Sequence, residues 1–138
     1  ARRAAAGEPW VRVPHAAPCL VTPALVDRLI DACLKDEVGG LLAQPLADTL
    51  KRSEGDRVAA TVPRERLWQA QTPQMFRLGL LARALAEAGD AVADEASATE
   101  ALGLRPKLVA SSATNFKVTW PEDFAMAEAL LSQRRVQA

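Results

Sequence analysis

The change of hydrophobic period between residues 25 and 46 narrows the fold more than any other feature. Leu25, Val26, Leu29, Ile30 and Cys33 recur at helical spacing and share one face of a helix. Thr22-Pro23 just before them predicts an N-cap followed by proline at the first helical position. Gly39-Gly40 is expected to end that helix, and Leu41 to Leu46 follows as a buried strand. Trp10 to Val13 is a short β-prone run upstream, interrupted by Arg12. A strand, a helix and a strand in succession imply an α/β class, a layered sheet flanked by helices. The length of 138 residues suits a single domain, 1–138, with its own core.

Asp48 to Arg64 breaks this pattern. Its apolar residues are sparse, and Glu54-Gly55-Asp56 forms a turn between two β-capable arms. A hairpin this polar has little to bury against the parent core, so residues 48–64 should project, and a projecting arm suits contact with a second chain. Further on, Thr72-Pro73 repeats the cap-plus-proline signature. Met75, Leu78, Leu81, Leu85 and Ala88 then predict a helix that Gly89 ends. Asp94 to Leu102 predicts a shorter helix closed by Gly103. Lys107 to Ala110 and Asn115 to Val118 predict strands, the second with Phe116 and Val118 on one face and Lys117 on the other. Thr119 to Glu122 has the form of a capping box, opening a last helix with Phe124, Ala127 and Leu131 inward. The terminal SQRRVQA is expected to fray.

Lysine plus arginine equals aspartate plus glutamate at 17 each, so no net field draws the chain to nucleic acid or an anionic membrane. No apolar run approaches the ~18 residues of a membrane span, and ARRAAAGEPW lacks the apolar core of a secretory signal. Cys19 and Cys33 have neither CxxC spacing nor a basic neighbour. They are expected to be buried thiols of a reducing cytosol, which makes the chain cytoplasmic. The sequence shows no metal-ligand cluster, no nucleophile–base pair and no glycine-rich phosphate loop, and His15, the only histidine, has the look of a loop residue. The remaining candidates are cationic: Lys51, Arg52, Arg64, Arg66 and Lys117. Such an inventory suits phosphate chemistry, where positioning and charge neutralisation replace covalent catalysis.

PLADTLKR (45–52), TVPRERLWQAQTPQMF (61–76), DEASATEALG (94–103) and NFKVTWPEDFAMAEALL (115–131) resemble the signature blocks of the 2-C-methyl-D-erythritol 4-phosphate cytidylyltransferase family, in the family's order. The resemblance implies a Rossmann-like nucleotidyltransferase sheet with a projecting β-arm. It also implies a reaction, in the non-mevalonate route to isoprenoid precursors, that joins CTP to the sugar-alcohol phosphate and releases pyrophosphate. The implied partners are a second copy of the chain, bound through the 48–64 arm, and Mg²⁺ on the triphosphate, with protein ligands outside this segment. On single residues, Arg64 matches the arginine that reaches from one subunit's arm to the sugar phosphate held by the other, and Thr49 matches the threonine beside it. Thr72 falls near the catalytic pocket, although helix capping alone would explain it. Lys117 matches the lysine expected near the reacting phosphates, the alternative being a plain exposed strand lysine.

Two departures bear on these expectations. The family's CTP pocket uses a glycine-rich loop with an arginine and a lysine, which residues 1–20 do not resemble. The chain is therefore expected to be the later part of the domain and to bind CTP weakly alone. The family's HDAARPC appears here as PHAAPC, residues 14–19, with His15 in place of aspartate and no counterpart to the arginine that follows. His15 and Ala16 thus mark the substrate-side stretch in altered form, and Ala93 and Thr114 stand where the family has more polar residues. A ribitol-5-phosphate cytidylyltransferase shares the scaffold and the CTP chemistry. A noncatalytic, dimer-forming remnant without the nucleotide site is the alternative from another class.

Overall fold

The computed structural model describes residues 7–14, 20–89 and 92–137, so His15, Ala16 and Cys19 lie outside the described residues. The elements are β1 (Trp10–Val13), α1 (Pro23–Leu34), β2 (Gly39–Pro45), β3 (Leu50–Glu54), β4 (Arg57–Val62), β5 (Trp68–Arg77), α2 (Leu78–Ala88), α3 (Glu95–Ala101), β6 (Lys107–Ala110) and α4 (Pro121–Gln137). Four strands form one sheet in the order β1-β5-β2-β6, with β5 antiparallel to both its neighbours and β2 parallel to β6. The α/β class expected from the sequence is the class observed. Among the described residues no helix is long and apolar enough to cross a membrane.

Strand alternation sends successive side chains to opposite faces, and the sheet has a core on each. Leu42 and Met75 join Leu25, Leu29 and Cys33 of α1 on one face, together with Val109. Leu41 and Phe76, the adjacent residues, join Leu81 of α2 and Ala96 of α3 on the other. Leu29, Leu42 and Phe76 are fully buried, each contributing about 1.5–3 kcal/mol. Thr22 caps α1 as expected, its hydroxyl accepting the Leu25 N–H at 3.3 Å.

Several expectations are corrected. Gly39 and Gly40 do not close α1, which ends at Leu34; they open β2. Gly39 has φ +113°, and a Cβ there would strike the Met75 carbonyl, so only glycine fits this approach of two strands. Thr72-Pro73 starts no helix. Both residues lie within β5, where β2 takes two steps, from Leu41 to Ala43, while β5 takes four, from Gln74 to Ala70. Proline has no N–H to give a ladder, and this bulge requires none from it. Met75 consequently belongs to the sheet. In α2 the buried residues are Leu80, Leu81 and Ala84, while Leu78 and Leu85 are exposed.

Asn115 to Val118 has no sheet partner, although Lys117 is exposed and its neighbours half-buried, as alternation required. At the start of α4, Asp123 rather than Glu122 reaches back, its Oδ2 accepting the N–H groups of Thr119 and Trp120 at 2.8 and 2.9 Å. These bonds hold its carboxyl below the usual range. Ala127 is buried, but Phe124 is 69% exposed, because the first turn of α4 stands clear of the chain's own core. The expected fraying of SQRRVQA does not extend to its described residues, Ser132 to Gln137, which are helical. Helix α4 runs to Gln137, tied by Arg134 Nη1 donating to the Leu20 carbonyl at 2.8 Å.

The 48–64 segment forms its own two-stranded sheet, β3-β4, turning at Gly55 with φ +60°. Nearly every residue in it is exposed. Lys51 Nζ donates to Thr61 Oγ1 at 2.7 Å across the hairpin.

Candidate active site

The bulge in β5 places Gln71, Thr72 and Gln74 along the floor of a cleft of about 170 Å³, whose other lining includes Ala93, Asp94 and Lys117. Thr72 and Lys117, far apart in sequence, thus meet at one site. Thr72 caps no helix, so the bland explanation for it is gone. Lys117 lies in an irregular segment rather than a strand and lines this cleft. Ala93 brings no polar group to the wall it shares with Asp94.

Asp94 is held from three sides. Its Oδ1 accepts the Ser97 N–H at 2.8 Å, and Ser97 Oγ accepts the Asp94 N–H at 3.0 Å, a reciprocal capping box at the start of α3. Gln74 Nε2 donates to Asp94 Oδ2 at 2.9 Å, while Gln74 Oε1 accepts the Ala96 N–H at 2.9 Å. The carboxylate is therefore fixed in direction. Opposite it, Asn115 Nδ2 donates to Gln71 Oε1 and to the Thr72 carbonyl, each at 3.0 Å, and Gln71 Nε2 donates to the Ser112 carbonyl at 3.3 Å. Each glutamine of the Gln-Thr-Pro-Gln run thus fastens one wall of the cleft to its floor.

A second cleft of about 430 Å³ shares Ala70 and Asp94 with the first and is lined largely by apolar residues, including Leu41, Leu104 and Leu108. Among the described residues no group of three His, Cys, Asp or Glu side chains could hold a metal ion. Cys33 is buried on the sheet-facing side of α1 and does not line the cleft. Burial, with Asp36 nearby, pushes its thiol up to about 11, which leaves it protonated and inert at neutral pH.

Thr49 and Arg64 line neither cleft. They flank the root of the arm, just outside its last pair, Leu50 with Val62, and both are exposed. Lys51 and Arg52 lie on β3, and Arg66 sits between arm and sheet with φ +67°. Of the cations named from the sequence, Lys117 alone lies at the cleft, while Lys51, Arg52 and Arg64 lie on the arm. Asp94, Gln71, Gln74 and Asn115 were not singled out from the sequence as site residues. The Asp-x-x-Ser of a helix start and the glutamines flanking Thr72-Pro73 were the available signals.

The family model for 2-C-methyl-D-erythritol 4-phosphate cytidylyltransferase (IspD) matches residues 2–133. The chain is 57% identical over 128 residues to the 2-C-methyl-D-erythritol 4-phosphate cytidylyltransferase of Nitrosomonas eutropha, covering 92% of this chain and 55% of that protein. It is 62% identical over 130 residues to the bifunctional enzyme IspD/IspF of Albidiferax ferrireducens, covering 94% of this chain and 31% of that protein. Its fold matches the crystal structure of the cytidylyltransferase from Thermus thermophilus with a TM-score of 0.84 at 38% identity, covering 90% of this chain and 62% of that one. The chain therefore spans little more than half the length of its single-function relative. With three of its four signature blocks contributing to one cleft and the match extending over nearly its whole length, the chain belongs to the 2-C-methyl-D-erythritol 4-phosphate cytidylyltransferase family.

Proposed function

We propose that the protein carrying this chain joins CTP to 2-C-methyl-D-erythritol 4-phosphate, giving cytidine-diphosphate methylerythritol and pyrophosphate. The observation that carries this is the meeting of Thr72 and Lys117, from separate segments, at one cleft in a chain of this family. A phosphate oxygen of the sugar alcohol attacks the α-phosphorus of CTP. As that bond forms, the bond from the α-phosphorus to the oxygen bridging to the β-phosphate breaks in line, and pyrophosphate leaves with the electron pair. The step needs no protein nucleophile. It needs cations, because two anions approach and charge builds on the α-phosphoryl oxygens. Lys117 supplies one at the cleft, and Thr72 supplies a hydroxyl that can donate to a phosphate oxygen.

Arg64 supplies a second cation from the arm of a partner copy. Its planar guanidinium can grip a phosphate through two parallel hydrogen bonds. Thr49 joins it in the same cross-subunit site, and the assembly is a homodimer held through residues 48–64. The polar, exposed hairpin supports this part of the proposal, since it stands apart from its own core. Mg²⁺ accompanies CTP as the counter-ion of the triphosphate. Among the described residues no group of three His, Cys, Asp or Glu side chains converges to hold it, so the triphosphate itself is its main ligand. The buried, protonated Cys33 is compatible with a cytoplasmic protein.

Pyrophosphate release from CTP, measured on the full protein with methylerythritol phosphate or ribitol 5-phosphate as acceptor, tests the proposal. Release with the first acceptor alone is expected. Release only with ribitol phosphate would move the acceptor, and none with either would mark a noncatalytic relative.

A further inference from the structure

We infer that Asn115 and Gln71 are positioning residues for the transfer, setting where Lys117 stands relative to Thr72 across the cleft. The inference rests on the function proposed above and adds to it two residues and the way they act. Residues 111–120 enter no sheet ladder, so no regular backbone pairing fixes Lys117. Side-chain bonds do so instead. Asn115, two residues before Lys117, is 2% exposed. Its Nδ2 reaches Gln71 Oε1 and the Thr72 carbonyl at 3.0 Å each, with a longer bond of 3.4 Å to Ser111 Oγ.

Gln71 completes the clamp by donating to the Ser112 carbonyl, which also accepts the Asn115 N–H at 3.0 Å. The segment carrying the cation is thus bound to the very residue that faces it. Asn115 Oδ1 has no hydrogen-bond partner among the described residues, an arrangement that buried acceptors seldom tolerate. Leucine, of similar size, would avoid that cost, but it would release Gln71, Thr72 and the Lys117 segment together. Phosphoryl transfer is sensitive to such a release, because a misplacement of about 1 Å can cost about a hundredfold in rate.

The test is a double-mutant cycle on the full protein. Asn115→Leu alone should lower kcat for pyrophosphate release between about ten- and a hundredfold, with the KM for CTP moving much less. In a Lys117→Ala background the same change should cost at least about threefold less than in wild type, since one of the two groups it positions is gone and only Thr72 remains to be misplaced. Equal losses in both backgrounds, or no loss in the first, overturn the inference. Gln71→Met, at a half-buried position, breaks the clamp from the other side and is read the same way if Asn115→Leu does not yield folded protein. Amide hydrogen exchange over residues 112–118 reports the clamp without catalysis. Exchange at least about tenfold faster in either variant, with the sheet unchanged, is expected, and unaltered exchange overturns the clamp. Wild-type protein inactive on CTP would instead defeat the proposed function, while the exchange result would still decide the clamp.

Discussion

Gln74 and Asp94 are joined where the sheet meets α3, the amide donating to the carboxylate at 2.9 Å while its own oxygen accepts the Ala96 N–H. Gln74 is 2% exposed, and its bond to Ala96 is buried while its bond to Asp94 lies at the edge of the cleft. Gln74→Leu keeps the approximate volume and removes both partners. The expected loss is about 1–3 kcal/mol, mostly from the buried Ala96 N–H left without an acceptor, since water in the cleft can reach Asp94. A lowered midpoint in urea unfolding would show it, and a midpoint within error of wild type would mean the bonds contribute nothing.

Lys117→Ala should reduce kcat about 10²–10³-fold in pyrophosphate release, the size of effect found for single groups that stabilise developing charge. The side chain is exposed, so circular dichroism and thermal midpoint should barely change. Near-normal turnover would remove its role.

The arm can be tested by mixing subunits. Arg64→Ala and Lys117→Ala proteins should each be nearly inactive. Unfolded and refolded together, they should recover activity up to about a quarter of wild type, because a mixed dimer has one intact site and one doubly altered. Recovery requires that each site draw on both chains. Deleting residues 51–61 should also shift the protein to monomer in size-exclusion chromatography with light scattering. A dimer that persists would place the interface elsewhere.

Arg66 holds φ +67°, a conformation that non-glycine residues adopt at a cost. Arg66→Gly relieves it and is expected to raise stability by up to about 1 kcal/mol, part of the gain being lost to the greater freedom of glycine in the unfolded chain. Destabilisation in chemical unfolding would show that the guanidinium makes a contact worth more than the backbone cost.

The Cys33 thiol titrates near 11 in the folded chain against an ordinary value of 9.0. Below pH 9 the thiol is protonated in both states, and the stability tied to it is fully present. Above pH 9 the unfolded chain loses that proton first, so stability falls as pH rises toward 11, by a total of about 2–3 kcal/mol. Cys33→Ala should be less stable at pH 7 from the lost packing, yet decline less steeply between pH 9 and 11. Parallel declines would remove the thiol as the cause.

Much of the architecture was legible because hydrophobic period and local capping agreed. The stripe of α1, the strands at 10–13 and 107–110, the polar hairpin and the Asp94 helix all formed where their side chains required. Thr72-Pro73 misled because a threonine before a proline suits a helix cap and a bulged strand equally, and only the pairing with β2 decides between them. Lys117 was legible as a residue off the apolar face, but its partners were not. Asn115 and the two glutamines act through bonds to residues some 20–45 positions away, at separations no local pattern encodes. Arg64 and Thr49 were named as site residues only through family resemblance, since one chain alone gives an exposed arm nothing to contact.

The two surplus residues of β5 have a consequence for what lengths this stretch can take. Removing one residue between Gln71 and Pro73 would invert the side-chain parity of everything on one side of the gap, exchanging Met75 and Phe76 between their separate cores or turning Trp68 to Ala70 about. A point change there leaves the register of the sheet intact; a single-codon deletion does not, and homologous proteins should keep the residue count of this stretch.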